Sequence, residues 1–202
     1  MLAARRTRHM LAMLVAAALP VAAHAQTIDF DDYVTSGYEA LGAYAGMSWT
    51  NTFVLRAGTS FASVAAASSP NVIFPGFGSP SGFALSAPGT FTLGSIDLVQ
   101  WDPFNYGYTA PSTTVRGFLL GAPVAGDVMT VALGSTYATT VFNWAGIDAV
   151  TFTQENGDGW YVADNVVLGN VAVTATPEPA TLALVGGGLA ALGIGARRRR
   201  RA

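Results

Sequence analysis

The sequence predicts an all-β fold, an antiparallel β-sandwich or jelly-roll-like domain, flanked by an N-terminal signal peptide and a C-terminal transmembrane helix. Three observations predict it. Short runs rich in β-branched and aromatic residues recur between Gly, Pro, Asn and Ser turn signals. No stretch of the middle shows a sustained 3.6-residue apolar period with caps. The remaining apolar runs lie at the two ends, each beside a cluster of arginines.

The strands are expected at Ser48–Arg56, Asn71–Phe74, Gly82–Leu85, Gly89–Leu93, Ser95–Trp101, Thr113–Leu120, Asp127–Leu133, Ala138–Asn143, Ala149–Thr153 and Trp160–Leu168. Several alternate with period two: Met129, Val131 and Leu133 face opposite Val128, Thr130 and Ala132, and Val150 and Phe152 face opposite Ala149, Thr151 and Thr153. Many short strands without helices argue for a sandwich or jelly roll. No fixed repeat period argues against a solenoid or propeller.

At the N-terminus, Arg5, Arg6 and Arg8 precede an apolar run from Met10 to Ala18. Ala23-His24-Ala25 then supplies the small-x-small pattern of a signal peptidase site, with cleavage after Ala25. The run is too short for an ordinary span of about 20 residues; an uncleaved anchor is the alternative. At the C-terminus, Thr176-Pro177-Glu178-Pro179-Ala180 precedes the apolar stretch Thr181–Ala196, and Arg197, Arg198, Arg199, Arg200 and Arg201 follow it. Sixteen helical residues reach about 24 Å, slightly less than a bilayer core. Five arginines would stay cytoplasmic and hold the preceding domain outside. The prolines make an extended, protease-accessible linker. The expected organisation is therefore a signal peptide over 1–25, an extracellular sandwich over 26–175 and a tail over 176–202.

Composition narrows the chemistry. The chain has no Cys and no Lys, and its only histidines, His9 and His24, lie in the segment expected to be removed. A Ser-His-Asp relay, a thiolate or Schiff-base nucleophile and the usual zinc and copper ligands are then all missing from the mature domain. Carboxylates, hydroxyls and oxygen ligation of hard cations remain. Eight of the ten arginines are terminal, so residues 26–175 hold eleven acids against Arg56 and Arg116, a net charge of −9. An acidic domain offers no footprint for nucleic acid.

The C-terminal arrangement of Pro177-Glu178-Pro179, short apolar helix and arginine tail resembles the PEP-CTERM sorting signal. Thr176 stands where that pattern often has Val. The resemblance implies recognition by an exosortase-type membrane enzyme, cleavage near the motif, and release or transfer to the cell surface, in systems that build exopolysaccharide and biofilm. A plain membrane anchor is the alternative. The middle resembles an exported domain type found ahead of such tails. Ile28-Asp29-Phe30-Asp31-Asp32, Tyr44-Ala45-Gly46-Met47-Ser48-Trp49-Thr50-Asn51, Gly146-Ile147-Asp148-Ala149-Val150-Thr151-Phe152 and Val162-Ala163-Asp164-Asn165-Val166 carry that likeness, with Met47 where the type usually has Leu. The acidic opening strand and the closing Asp-Asn strand also resemble those of jelly-roll carbohydrate-binding modules.

Three candidate sites follow. In a jelly roll the first and last strands lie side by side, which would gather Asp29, Asp31 and Asp32 with Asp164 and Asn165. Converging carboxylates suit structural calcium, with Asp29, Asp31, Asp164 and Asn165 as ligands, or else they cap turns. Asn156-Gly157-Asp158-Gly159 reads as a hairpin turn or a second cation loop. The segment Trp101–Tyr108 packs four aromatics into a Pro/Gly/Asn loop. Phe104, Tyr106 and Tyr108 would form a sugar-stacking platform with Asp102 and Asn105 reaching hydroxyls, or would cover the core. A glycosidase would need paired carboxylates about 5–9 Å apart, for which Asp29, Asp31 and Asp164 are the candidates.

The functional expectation is an exported, non-catalytic protein of the cell surface or biofilm matrix, transiently membrane-anchored. A carbohydrate-binding module with an aromatic loop is the alternative, and a carboxylate glycosidase a more distant one. Signal peptidase, an exosortase-type enzyme and extracellular polysaccharide are the expected partners.

Overall fold

The computed structural model of the chain describes residues 25–58, 65–76, 80–102, 107, 109–154 and 159–173. Among the described residues thirteen strands form two antiparallel sheets, and no helix occurs. They are β1 (Gln26–Ile28), β2 (Tyr38–Ala40), β3 (Ala43–Tyr44), β4 (Met47–Thr50), β5 (Thr52–Arg56), β6 (Asn71–Pro75) and β7 (Ser81–Leu85). β8 (Gly89–Gln100), β9 (Ser112–Leu119), β10 (Ala122–Ala132), β11 (Ala138–Ile147), β12 (Ala149–Gln154) and β13 (Tyr161–Val173) complete the set. The first sheet runs β11-β8-β13-β6-β5-β2, with β1 also on β13; the second runs β10-β9-β12-β7-β4-β3.

The predicted sandwich is therefore present, but its strands differ in places: β10 starts earlier, at Ala122, and β11 and β13 run on to Ile147 and Val173. The run expected over Ser48–Arg56 breaks at Asn51, whose φ of 46° places it in the left-handed region. β4 and β5 on either side of that corner join different sheets. The two runs expected at Gly89–Leu93 and Ser95–Trp101 are one strand, β8. Its inward residues are Phe91 and Leu93, then Ile96 and Leu98, so the alternation slips by one at Gly94–Ser95. The short strands β1, β2 and β3 carry too few apolar residues for a period to register.

Between the sheets lies a core that includes Phe30, Met47, Trp49, Phe83, Leu93, Ile96, Val150, Phe152 and Val166. The alternation expected for β10 and β12 holds. Val131, Val150 and Phe152 are buried with Met129 and Leu133 packed against them, while Val128, Thr130 and Thr153 face solvent. A second cluster of Leu55, Val72, Phe74, Val99, Trp101, Trp160 and Val162 covers the opposite, outer face of the first sheet. That sheet is consequently buried on both sides in its middle. All five residues of β6 are buried, and a strand so placed reads as a continuous apolar run.

Candidate functional site

The expected neighbours at the chain's two ends do meet. β1 pairs antiparallel with β13, Ile28 opposite Val166. This brings Asp29, Asp31 and Asp164 to one region, where Asp31 adds negative potential at Asp164. Each carboxylate serves the protein's own donors. Asp29 Oδ1 accepts from the Asp31 amide at 3.3 Å, and Asp31 Oδ1 accepts from the Asn71 amide at 3.3 Å. The Tyr44 hydroxyl donates to Asp32. Asp164 is fully buried. Its Oδ2 accepts from the Ser68 amide and its Oδ1 from the Asn165 amide, both at 2.8 Å, and the Ser68 hydroxyl lies 3.2 Å from each oxygen. Asn165 donates through Nδ2 to Asp97 Oδ2 at 2.9 Å, and Thr139 Oγ1 donates to Asp97 Oδ1 at 2.5 Å.

Burial pushes the Asp164 carboxyl up to about 6, against the opposing hydrogen bonds from Ser68 and Asn165, with Asp31 adding to the rise. Burial also raises Asp31. Among the described residues no three His, Cys, Asp or Glu side chains are grouped to hold a metal ion. Protein donors occupy both oxygens of Asp164 and Oδ1 of Asp29 and of Asp31, and Asn165 turns its Nδ2 to Asp97. The cluster's chemistry is that of a clamp: Asp164 ties the 65–70 loop to the outer face of the first sheet.

Beside the clamp runs a row of rings that the sequence reading did not assemble. On this face Tyr38 lies 6.4 Å from Phe53, and Phe53 stacks on Phe74 at 5.5 Å. Phe74 stacks on Trp160 at 5.6 Å, and Trp101 meets both edge-on at 5.2 and 5.5 Å. Tyr38, at the sheet edge, is 53% exposed; Phe74, Trp160 and Trp101 are buried. The signal for the row was weak because β5 and β6 are apolar at consecutive positions, which hides the face each ring takes.

Trp101 is thus a packed residue. Past it, Asp102 Oδ2 accepts the Gly107 amide at 2.7 Å and closes its own loop. Val99, Gln100, Trp101, Asp102, Ser135 and Tyr137 line a surface cleft of about 510 Å³ here. Tyr137 is held above the usual phenol range, first by burial and then by the charges of Asp164 and Asp97. Phe104, Asn105, Tyr106 and Tyr108 lie outside the described residues, as do Asn156–Asp158, Ala23, the motif Pro177-Glu178-Pro179, the stretch Thr181–Ala196 and Arg197–Arg201. No helix among the described residues is long and apolar enough to cross a membrane.

Residues 175–200 match the PEP-CTERM protein-sorting motif. The chain carries a PEP-CTERM sorting signal. That signal marks a secreted protein, transiently anchored at the membrane. No curated protein sequence matches the chain. Among solved structures it is similar to a mutant of a family 29 carbohydrate-binding module, at 15% identity and TM-score 0.45, over 78% of this chain and 98% of that one. It is also similar to the family 11 carbohydrate-binding module of a cellulosomal cellulase from Clostridium thermocellum, at 13% identity and TM-score 0.36, over 76% and 98%. A cleaved adhesin domain of Lys-gingipain from Porphyromonas gingivalis matches at 14% identity and TM-score 0.32, over 72% and 97%. The likeness is one of architecture.

Proposed function

We propose that this PEP-CTERM protein is an exported, non-catalytic component of the cell surface or extracellular matrix, processed at its C-terminal signal by an exosortase-type enzyme. The sorting motif at 175–200 carries the reading. The commitment of Asp29, Asp31, Asp32, Asp97, Asp102 and Asp164 to structural hydrogen bonds supports a module without reacting groups. Fractionation of the expressed precursor tests it. Replacing Arg197–Arg201 with neutral residues should loosen retention, because five arginines beside a short span oppose its translocation. Replacing Pro177, Glu178 and Pro179 with Ala should leave the tail uncut. Processing and fractionation unchanged in both variants would sink the proposal.

One observation favours a more specific role, the holding of extracellular polysaccharide. The ring row leaves Tyr38 half-exposed at the sheet edge, and at its other end lies the cleft lined by Gln100, Asp102 and Ser135; an exposed ring and a polar-edged cleft suit pyranose faces and hydroxyls. A glycan array on the exported protein reads this directly. Tyr38→Ala and the triple change of Phe104, Tyr106 and Tyr108 to Ala should each reduce polysaccharide retention. The Tyr38 change should cost only about 1 kcal/mol of stability, as for a half-exposed ring at a sheet edge. Retention equal to wild type in both variants would remove the sugar reading and leave the matrix role standing.

A further inference from the structure

The turn between β9 and β10 is two residues long, since Leu119 pairs with Ala122. Leu120 and Gly121 have φ of 52° and 77°, the geometry of a type I′ hairpin turn. Asn, Asp or Gly ordinarily fills the first of these positions, because a branched aliphatic side chain is strained at positive φ. Of the six other non-Gly residues at left-handed φ among the described residues, Asn51, Asn143, Asn165 and Asn170 are Asn, Ala45 is small, and Phe30 is bulky but fully buried in the core. Leu120 is therefore an outlier, and its side chain gains nothing from the core: it is 89% exposed, next to Leu119 at 38%.

The tip is held rigidly. Asp148 Oδ2 accepts the Leu120 amide at 2.7 Å, the Asp148 amide donates to the Phe118 carbonyl at 2.8 Å, and the Asp148 carbonyl accepts the Leu85 amide at 3.0 Å. Around it stand Ala87, Pro88, Ala122 and Pro123, all exposed. Asp148 is the one acid lining the cleft under Leu120, and its carboxylate is turned to the turn's backbone. An apolar tip that costs backbone strain and is pinned outward is built to meet something apolar.

The chain's own path says what that is. β13 runs toward the same end of the sandwich as this tip. Gly169 lies against Thr92, whose neighbour Phe91 pairs with Ile147, and Ile147 immediately precedes Asp148. The strand ends at Val173, and the sorting motif begins at residue 175. Only residues 174–180 separate Val173 from the apolar stretch that starts at Thr181. Fully extended, such a segment spans at most about 25 Å. A tail seated in the bilayer would keep this end of the sandwich within that distance of the lipid. Tethering also supplies a high effective concentration, so a contact too weak to bind a free protein suffices.

We propose that the β9–β10 tip, Leu119 and Leu120, docks on the lipid surface of the membrane that holds the uncleaved tail, orienting the precursor for processing. This rests on the sorting tail holding the chain at the membrane. The chain has no Cys, so single-cysteine probes are unambiguous. The full precursor is reconstituted in phosphatidylcholine vesicles, a neutral surface that does not repel an acidic domain. An environment-sensitive dye is placed at Leu119→Cys, near the tip, or at Ala138→Cys, at the start of β11 at the other end of the sandwich. Docking predicts a blue shift and loss of emission to lipid-borne quenchers at 119 and neither effect at 138. Adding Leu120→Asn should abolish the response at 119 while leaving the melting temperature equal or higher, because Asn tolerates the left-handed backbone. Co-floating protein with equal, water-like emission at both positions overturns the docking alone. Precursor that fails to co-float overturns the tail reading and the docking with it. Protection at 119 accompanied by cross-linked pairs of the chain, and insensitive to lipid quenchers, would place a second copy on the tip and overturn the lipid assignment.

Discussion

Trp101→Ala is expected to cost about 3–5 kcal/mol of folding stability, as large aromatic truncations in a core do. The ring is 3% exposed and is held edge-on between Phe74 and Trp160 at 5.2 and 5.5 Å. Its backbone amide donates to the Trp160 carbonyl at 3.2 Å, so strand and ring are fixed together. Removing the indole would open a void under the 65–70 loop that Leu55, Val72 and Val162 are too short to fill. Trp101→Phe keeps a ring in the contact and should recover much of the loss. Denaturant midpoints at constant m-value give the comparison, with Tyr38→Ala as the exposed reference. A Trp101→Ala variant within about 1 kcal/mol of wild type would mean that the outer-face cluster is not a second core and that the loop beyond it is free to act as a platform.

Why the sequence showed some of this and not the rest can be traced to particular residues. Met129, Val131 and Val150, Phe152 announced their strands because one face of each is wet and alternation survives. Phe53, Phe74 and Trp160 announced nothing of the kind. The first sheet is covered on both faces where they lie, and a strand buried twice has no polar phase to read. The corner at Asn51 hid between two stretches of good β-formers, although Asn at positive φ is the one local signal it carries. By strict alternation Trp101 shares a side with Leu93, Ser95, Asp97 and Val99, an imperfectly apolar series; the slip at Gly94–Ser95 puts Leu93 in the inner core and Trp101 on the outer face. At the candidate site, the meeting of the chain's first and last strands was legible. The use of the carboxylates was not: Ser68 lies 96 residues from Asp164, and no local pattern predicts that pairing.

Asp164 provides the second large effect, and its sign is set by burial. With the folded carboxyl at about 6 and the unfolded one near 3.8, the folded state binds the proton more tightly over that interval. Stability contributed by the protonated form is present at about pH 4 and is lost as pH rises to about 6 and beyond, by roughly 2–3 kcal/mol at most. Asp31, also raised by burial, slopes the same way, so the effect is isolated by difference. Asp164→Asn cannot ionise, and its amide oxygen still accepts from one of the two amides. It should therefore lose ground to wild type at pH 4.5 and gain ground at pH 7.5. Asp164→Ala leaves the Ser68 and Asn165 amides without their acceptor and should cost about 2–4 kcal/mol at the acid end. Urea titrations of the three proteins across pH 4–8 measure all of this, and a wild-type profile parallel to that of Asp164→Asn would refute the raised Asp164 carboxyl. Calcium enters the same experiment with the opposite sign, since a bound cation stabilises the ionised carboxylate and would lift stability as pH rises. Because Ser68 and Asn165 already occupy the Asp164 oxygens, millimolar Ca²⁺ is expected to leave the profile where it stands; a reversal of its slope, abolished by chelator, would show instead that Asp29, Asp31, Asp164 and Asn165 rearrange into a metal site.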